Sequence, residues 1–313
     1  MRLFSEVIDA VRDYPVKDLA VAAAEDHTVL EAVAEAVREN MVRATLVGNE
    51  MAIRKVAEEH GLDLGDARVV HERDPIRAAA TATAMVSAHE ADILMKGHIH
   101  TDDFLRAVLD KERGLRSGSI MSHVYIFEHP QRDGFLFMSD GAMNIAPDLA
   151  TKAAIILNAV HVAHAFGIEE PKVAVLAAVE LVNPAMQATV DAATLHIMAE
   201  RGQFSPKCVI DGPLAFDNAI SPWAAQHKKI KGPVAGNADV LIVPDVEAGN
   251  ILAKSLVYLG GLTVAGLLVG ARAPIVLTSR ADQARAKLAS IASAVYIASV
   301  ARELRLKVGK VRY

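Results

Sequence analysis

The sequence has 313 residues, of which 52% are hydrophobic, 4% aromatic and 23% charged, and its formal net charge is -5. This length and apolar content suit a well-packed α/β protein of two domains. Nucleic acids and anionic membranes are bound through clustered positive charge, so without a lysine or arginine run neither is expected as a partner.

The first half of the chain alternates β-branched runs with segments of helical period. The opening segment MRLFSEVIDAVRDYPV carries charges where a signal peptide needs an apolar core, so we expect a cytoplasmic protein. Helices are predicted for TVLEAVAEAVREN and for MAIRKVAEEHG, which Gly61 would end. Strands buried on both faces are predicted for LAVAAA, ATLVGN, ARVVH and DILMKG, starting at Leu19, Ala44, Ala67 and Asp92.

HVYIFE and GFLFMSD predict two neighbouring strands joined by the polar turn HPQRDG. The stretch DGAMNIAPD, residues 140–148, predicts a crossing between domains because glycine, asparagine and proline lie close together. Further strands are predicted for KVAVLAAV, KCVIDG and ADVLIVPD, with helices beginning near Asp148, Asn183 and Glu247. The single cysteine, Cys208, is predicted to be a buried thiol of a protein in a reducing compartment.

The uncharged stretch from Ser255 to Ala271 falls short of the roughly 20 apolar residues that span a membrane, so it predicts a buried element. The final strand APIVLTS leads into a helix from about Ala281 to Leu304. Both are expected to return to the first domain. The predicted fold is α/β, with two Rossmann-like lobes of mainly parallel sheet: residues 1–145 plus 272–313, and residues 146–271.

Most predicted strands end in small or functional residues, as in DILMKG, FLFMSD, CVIDG, LIVPD and IVLTSR. Ligands of open α/β sheets bind beyond the carboxyl ends of the strands, so these ends are expected to line one cleft. Ser279 and Arg280 follow the last strand and are expected to bind an anion near a helix N-terminus. An N-cap serine beside a surface arginine is the alternative interpretation.

Lys96 and Gly97 also follow a strand, where a lysine and a close backbone approach suit a ligand. His98 and His100 have a spacing found in some metal sites, but no third ligand is evident, so no metal is predicted. The segment LRSGSIMSHV, with Ser119 and Ser122, could cradle phosphate or form a surface turn. Motifs for a nucleophilic serine, a phosphate loop and a dinucleotide-binding turn are absent from the sequence.

Six motifs in order resemble the phosphate acetyltransferase and phosphate butyryltransferase family, more closely its butyryltransferase-type branch and the hydratase-fused transferase-like domains. These motifs are LMKGHIHTDDFLRAVL, GLRSGSIMSHVYIF, SDGAMNIAPDL, VIDGPLAFDNAIS, VAGNADVLIVPDVEAGNILAKSL and PIVLTSRAD. The resemblance covers nearly the whole chain. It implies lobes similar to those of isocitrate and isopropylmalate dehydrogenases, an interlobe active site and a homodimer.

The resemblance implies that Arg280 binds phosphate and that Ser279 helps to stabilise the transition state. Asn250 and Lys254 match a segment near the family's active site. Acetate-type members have an aspartate six residues beyond the arginine as the proposed base, where this sequence has Ala286. Asp282, Asp140 or His123 could act instead. The candidate catalytic residues are Ser279, Arg280 and Asp282, and the candidate substrate-binding residues are Lys96, Gly97, His98, Ser119, Ser122, Asp140, Asn144, Asn250 and Lys254.

The function implied is exchange of a short acyl group between coenzyme A and inorganic phosphate, by direct attack of the thiolate on an acyl phosphate. Coenzyme A and phosphate are then substrates, and no tightly bound cofactor is expected. One alternative is a non-catalytic protein that binds acyl coenzyme A or acyl phosphate. The other is a metal-dependent hydroxyacid dehydrogenase on the related fold, for which VPDVEAGN offers only Asp245 and Glu247.

Overall fold

The computed structural model describes residues 1–303 and 309–312. The strands, in chain order, are β1 (Lys17–Ala22), β2 (Val42–Gly48), β3 (Arg68–His71), β4 (Ile93–Lys96), β5 (Ser122–Glu128), β6 (Phe135–Ser139), β7 (Lys172–Leu176), β8 (Phe204–Ser205), β9 (Val209–Leu214), β10 (Val240–Ile242), β11 (Val264–Val269), β12 (Ile275–Val276) and β13 (Lys310–Val311). The helices are α1 (Phe4–Val11), α2 (His27–Arg38), α3 (Glu50–Glu59), α4 (Pro75–Ser87), α5 (Thr101–Val108), α6 (Leu149–Ala165), α7 (Gln187–Glu200), α8 (Phe216–Ile220), α9 (Pro222–His227), α10 (Val246–Tyr258) and α11 (Ala284–Glu303).

Short polar side chains set the starts of several helices. The residue before each of these helices accepts a backbone N–H of the first turn, which satisfies a donor that the helix leaves unpaired. Gly61 lies beyond the end of α3 with a φ of 62°, a conformation that glycine adopts without strain, so its predicted stop is confirmed. The capping residues are Asp26 for α2, Asn49 for α3, Asp74 for α4, Asp148 for α6 and Asp245 for α10.

Contacts divide the chain into two packing units. The N-terminal unit comprises Leu3–Ser119 and Val264–Leu304, and the middle unit comprises Met1–Arg2, Ile120–Thr263 and Arg305–Tyr313. Residues 120–145 therefore pack with the middle unit and residues 264–271 with the N-terminal unit, unlike in the predicted domains. The predicted domain boundaries, 1–145 plus 272–313 and 146–271, stay a prediction.

The N-terminal unit contains a mainly parallel sheet in the order β3-β2-β1-β4-β12-β11. The pairs from β3 to β12 are parallel, and β11 runs antiparallel to β12. Helix α4 packs against β1, and α11 packs against α1, α2 and β11. Leu19, Leu46, Ile93 and Met95 are fully buried between these layers, as expected for strands covered on both faces.

The middle unit contains a second set of paired strands in the order β5-β6-β10-β7-β9. Strands β5 and β6 form the predicted antiparallel pair, and the other pairs are parallel. Helix α6 packs on β5, β6 and β10, and α7 packs on β7 and β9. The fold is therefore α/β with mainly parallel sheet, as predicted.

Four details of the sequence prediction are wrong. Strand β3 has exposed residues at Arg68 and His71, because it is an edge strand that pairs only with β2. The stretch 255–271 is not one buried element, because α10 ends and an exposed turn at Leu259 precedes β11. Helix α7 begins at Gln187 rather than near Asn183, because residues 183–186 form a turn in which the Met186 amide donates to the Asn183 carbonyl over 2.8 Å.

The fourth detail concerns the last strand, APIVLTS, which contains only Ile275 and Val276 as β12. The helix that follows begins at Ala284 instead of Ala281, and its predicted end at Leu304 lies outside the described residues. Within the part of the chain that the structure describes, no helix combines the length and apolar character needed to cross a membrane.

An ion pair between α6 and α7 gives a test of packing in the middle unit. Lys152 Nζ donates to Asp191 Oδ2 over 2.6 Å, and the two residues are 5% and 6% exposed. Replacing Asp191 by leucine leaves a buried ammonium without its anion, so we expect the free energy of unfolding to fall by about 3–5 kcal/mol. The double variant Lys152→Met/Asp191→Leu should recover most of this loss in urea denaturation. A loss in the double variant equal to the sum of the Lys152→Met and Asp191→Leu losses would show that the pair is not energetically coupled.

Candidate active site

Lys96 is the last residue of β4 and is only 2% exposed. Its Nζ donates to the carbonyl oxygen of Gly97 over 3.3 Å. Burial, followed by the positive charges of Arg280 and Lys287, lowers the pKa of Lys96 from 10.5 to about 8. An anion that approaches this buried ammonium would stabilise its charged form.

Gly97 allows the chain after β4 to cross the end of β1 at close range. A Cβ at this position would lie 2.2 Å from the carbonyl oxygen of Ala23 and 2.6 Å from that of Ala22, so no larger residue fits without a backbone shift. The amides of Gly97 and His98 donate to the carbonyls of Ala22 and Ala23 over 2.8 and 2.6 Å. These bonds continue the pairing of β4 with β1.

His98 and Asp26 meet beyond these strand ends. The His98 side chain is 57% exposed, and its Nδ1 lies 3.6 Å from Asp26 Oδ2. Asp26 Oδ1 accepts from the Val29 amide at 3.0 Å and from Thr28 Oγ1 at 2.5 Å. Burial acts to raise the pKa of Asp26, but these hydrogen bonds and the charge of Lys287 lower it overall, so Asp26 is a carboxylate.

Ser279 and Arg280 belong to a closed turn between β12 and α11, not to the residues directly before a helix as predicted. The Ser279 amide donates to Asp282 Oδ2 over 2.7 Å, and the Asp282 amide donates back to the Ser279 carbonyl over 3.2 Å. The Ser279 Oγ accepts from the Ala281 amide at 3.3 Å. Asp282 therefore closes the turn, which leaves the Arg280 side chain exposed.

Lys287 is a site residue that the sequence analysis missed. It lies on α11, is 2% exposed, and donates to the carbonyls of Ser279 and Asp282 over 3.2 and 2.6 Å. Burial lowers the pKa of Lys287, against the opposing effects of Asp282 and Asp26. The only sequence signal is a lysine within the otherwise apolar and small-residue stretch KLASIASA.

We call Asp26, Lys96, Arg280, Asp282 and Lys287 the charged cluster. The pKa of Lys96 is shifted by each of the other four, so each of them lies within electrostatic range of Lys96. Among these described groups the cations outnumber the carboxylates. The cluster can therefore stabilise an anion, and phosphate oxygens suit the planar guanidinium of Arg280.

A second group of predicted site residues lies in the middle unit, where Asp140 follows β6 and is 2% exposed. Its Oδ1 accepts from the amides of Ala142 and Met143 at 3.1 and 3.2 Å. Its Oδ2 accepts from the Asn144 amide at 3.1 Å and from Asn144 Nδ2 at 2.6 Å. With its oxygens occupied in this way, Asp140 shapes its own loop.

Helix α10 approaches that loop closely. Asn250 Nδ2 donates to the carbonyl of Gly141 over 3.2 Å. A Cβ on Gly249 would lie 2.8 Å from the Cα of Gly141, so glycine at both positions allows the approach. Asp140, Asn144 and Asn250 are thus brought together by the structure, while Lys254 lies exposed one turn further along α10.

The remaining predicted residues are dispersed. Ser122 is buried and accepts from Asn158 Nδ2 at 2.9 Å, whereas Ser119 lies in an exposed turn of the N-terminal unit. His123 is 1% exposed and packs edge-on against Tyr125, with ring centroids 4.3 Å apart. Burial raises the pKa of Cys208 to about 12, as expected for a buried thiol without nucleophilic character.

His98 and His100 lie in the loop that follows β4 rather than on the strand. No group of three or more histidine, cysteine, aspartate or glutamate residues that could hold a metal ion occurs in residues 1–303 and 309–312.

Comparison with known proteins places these observations in a family. A family model described as "Phosphate acetyl/butaryl transferase" matches residues 3–79 and 73–295. The chain belongs to the phosphate acetyl/butyryl transferase family. A phosphate butyryltransferase of Clostridium beijerinckii is 48% identical over 296 residues, which cover 95% of this chain and 98% of the relative. A phosphate acetyltransferase of Rhizobium meliloti is 45% identical over 296 residues, 95% of this chain and 93% of the relative.

A solved structure agrees with this assignment. The crystal structure of a branched-chain phosphotransacylase from Enterococcus faecalis matches with a TM-score of 0.78 at 32% identity, covering 90% of this chain and 99% of the other. The predicted family and the predicted acyltransferase class of enzyme are confirmed.

This phosphate acetyl/butyryl transferase family member has no carboxylate at position 286. Ala286 lies in the first turn of α11, beside Lys287, and its amide donates to the Gln283 carbonyl over 3.0 Å. Asp282, one predicted substitute for the base, closes the 279–282 turn through Oδ2.

The lowered pKa of Lys96 predicts a pH-dependent stability difference between wild type and Lys96→Met. The folded pKa of about 8 lies below the ordinary lysine value of 10.5, so between pH 8 and pH 10.5 the unfolded chain binds more protons than the folded protein does. As the pH increases through this window, the free energy of unfolding of wild type should therefore rise relative to that of Lys96→Met, by at most about 3 kcal/mol. At pH 7 the methionine variant should be the more stable protein in urea denaturation.

The control is Lys55→Met, because Lys55 is 72% exposed on α3. It should keep a constant difference from wild type between pH 7 and pH 10. A constant difference for Lys96→Met as well would contradict the assigned pKa.

Proposed function

We propose that this enzyme exchanges a short acyl group between coenzyme A and inorganic phosphate. The observation that carries the proposal is the charged cluster of a phosphate acetyl/butyryl transferase family member. The exposed Arg280 belongs to the 279–282 turn, Lys287 donates to two carbonyls of that turn, and Lys96 lies within electrostatic range of both cations. Ser279, Arg280 and Asp282 are the proposed catalytic residues. The proposed substrate-binding residues are Lys96, Gly97, His98, Ser119, Ser122, Asp140, Asn144, Asn250 and Lys254.

The proposed phosphate contact uses Arg280 and Ser279 together. A guanidinium donates two parallel hydrogen bonds to phosphate oxygens, and Lys96 adds positive charge within electrostatic range of Arg280. Ser279 Oγ accepts from the Ala281 amide, so its hydroxyl hydrogen can point to a substrate oxygen. The closed turn supports this role because it presents both side chains from one short, hydrogen-bonded segment.

The chemical step needs no covalent enzyme intermediate. The thiolate sulfur attacks the carbonyl carbon of the acyl phosphate, and the carbon–oxygen bond to phosphate then breaks, with the electron pair leaving on phosphate. In the reverse direction phosphate attacks the thioester. Cations near the developing negative charge stabilise the transition state, and both acyl donors are already activated.

Thiol ionisation needs only modest assistance in this scheme. A coenzyme A thiol with a pKa of about 8.5 is a few per cent ionised near pH 7. The excess positive charge of the cluster favours the thiolate further. This reasoning supports activity in a chain with alanine at position 286, where the resemblance leads one to expect an aspartate.

Neither alternative function is favoured by the comparisons, because the relatives are named as transferases. We further propose a cytoplasmic homodimer whose partners are small-molecule substrates, without nucleic acid, membrane or a tightly bound cofactor. Burial against a second copy would suit apolar side chains that the middle unit exposes: Leu181, Trp223, Ile251, Tyr258 and Leu259.

The test is release of free thiol from coenzyme A esters, from acetyl to octanoyl, with and without phosphate. We expect release that depends on phosphate, and the ester with the highest kcat/KM identifies the acyl group. Arg280→Gln should lower kcat/KM by about 100-fold or more, because it removes a charge that the transition state uses. The matched control is Arg54→Gln, an exposed arginine of α3 paired with Glu50, which should stay near wild type.

Two outcomes would count against the proposal. Arg280→Gln with near wild-type kcat/KM would remove the assigned role of the arginine. Folded wild-type protein that releases no thiol from any ester would instead favour a binding protein.

A further inference from the structure

The strongest unassigned feature is the ammonium of Lys287, which lies beneath the 279–282 turn. The Lys287 side chain is buried, at 2% exposure. The helix residues around it are mostly alanine, serine and aliphatic residues, so a lysine is unusual there. An apolar residue would fill such a position without the cost of burying a charge. The location of its hydrogen bonds indicates why a lysine occupies it.

Those hydrogen bonds join the two ends of one turn. Lys287 Nζ donates to the Ser279 carbonyl over 3.2 Å and to the Asp282 carbonyl over 2.6 Å. The same two residues are linked by the Ser279 amide to Asp282 Oδ2 and by the Asp282 amide to the Ser279 carbonyl. Arg280 therefore projects from a turn whose first and last residues are both tied to a single ammonium.

The charges around Lys287 keep it in place. Asp282 and Asp26 favour its protonated form, and Asp26 is itself held as a carboxylate at the start of α2. Lys96 and Lys287 repel each other, and Arg280 repels Lys96. An anion bound at Arg280 would relieve this repulsion, so the field of Lys287 adds to anion binding as well as to the shape of the turn.

We propose that Lys287 is a positioning residue for acyl transfer, holding Ser279 and Arg280 in the arrangement that the phosphate group requires. This inference rests on the proposed function, because it assigns phosphate to Arg280. Lys287 need not touch the substrate: it acts through the two carbonyls. Its loss should therefore impair the use of phosphate more than the use of the acyl ester.

The decisive variant is Lys287→Met, which keeps most of the length of the side chain and removes the charge and the donors. We expect the KM for phosphate to rise about 10- to 100-fold, the range for loss of charged hydrogen bonds, while the KM for the acyl coenzyme A changes less than about threefold. The matched control is Lys152→Met, another buried lysine, which lies in the middle unit and should leave the KM for phosphate unchanged. A general loss of stability would affect both variants.

Coupling to Arg280 separates positioning from a structural role. In the Lys287→Met background, Arg280→Gln should cost no more than about a tenth of what it costs in wild type, because a displaced arginine contributes little. Independent, multiplicative losses would overturn the inference, as would a wild-type KM for phosphate in folded Lys287→Met. If Arg280→Gln has no effect in wild type, the role assigned to Arg280 fails and this inference with it, whereas failure of the proposed function itself would appear as wild-type protein that releases no thiol from any ester.

A measurement on wild type covers the case in which Lys287→Met does not fold. Amide hydrogen exchange of the free protein should protect the Ser279 and Asp282 amides at least about tenfold relative to an unstructured peptide, because both donate within the turn. Exchange of these amides at the unstructured rate would show that Lys287 holds no fixed turn, and would overturn the proposal.

Discussion

The pairing of β4 with β1 on one side and β12 on the other determines where the chemistry of the N-terminal unit lies. The register sets Lys96 opposite Ala22, and Val276 opposite Met95. Because the three strands are parallel, their carboxyl ends meet at one edge of the sheet, and the chain segments that follow them converge there. Asp26, Lys96 and Arg280 come from distant parts of the sequence and reach the same place for this reason.

The convergence has an electrostatic cost. Burial and neighbouring cations lower the pKa of Lys96 to about 8. In the free protein this ammonium therefore loses its proton more readily than the ammonium of an exposed lysine does. Groups that bind an anionic substrate are commonly costly to the free protein, since stability and function make opposite demands on the same residues. Asp26 and Asp282 offset part of this cost without neutralising the cluster.

Carboxylates in both units accept hydrogen bonds from nearby backbone amides and so fix the shape of their loops. Asp140 accepts four hydrogen bonds from its own loop, and Asp282 closes the turn that carries Arg280. Glycines permit the close approaches on which these arrangements depend, as at Gly97 and at Gly141 with Gly249. Rigid backbone next to exposed polar side chains is the arrangement expected where substrates must be oriented.

The sequence by itself determined the α/β class, most strands, the stop of α3 at Gly61 and the family, because periodicity, glycine stop signals and ordered motifs are local signals. It also indicated Lys96, Gly97, Ser279 and Arg280 as residues at strand ends. It did not reveal the exposed edge strand β3, the turn between β12 and α11, or Lys287, whose role is invisible in an alanine-rich helix. Those features depend on strand order and on hydrogen bonds between residues that only tertiary packing brings together.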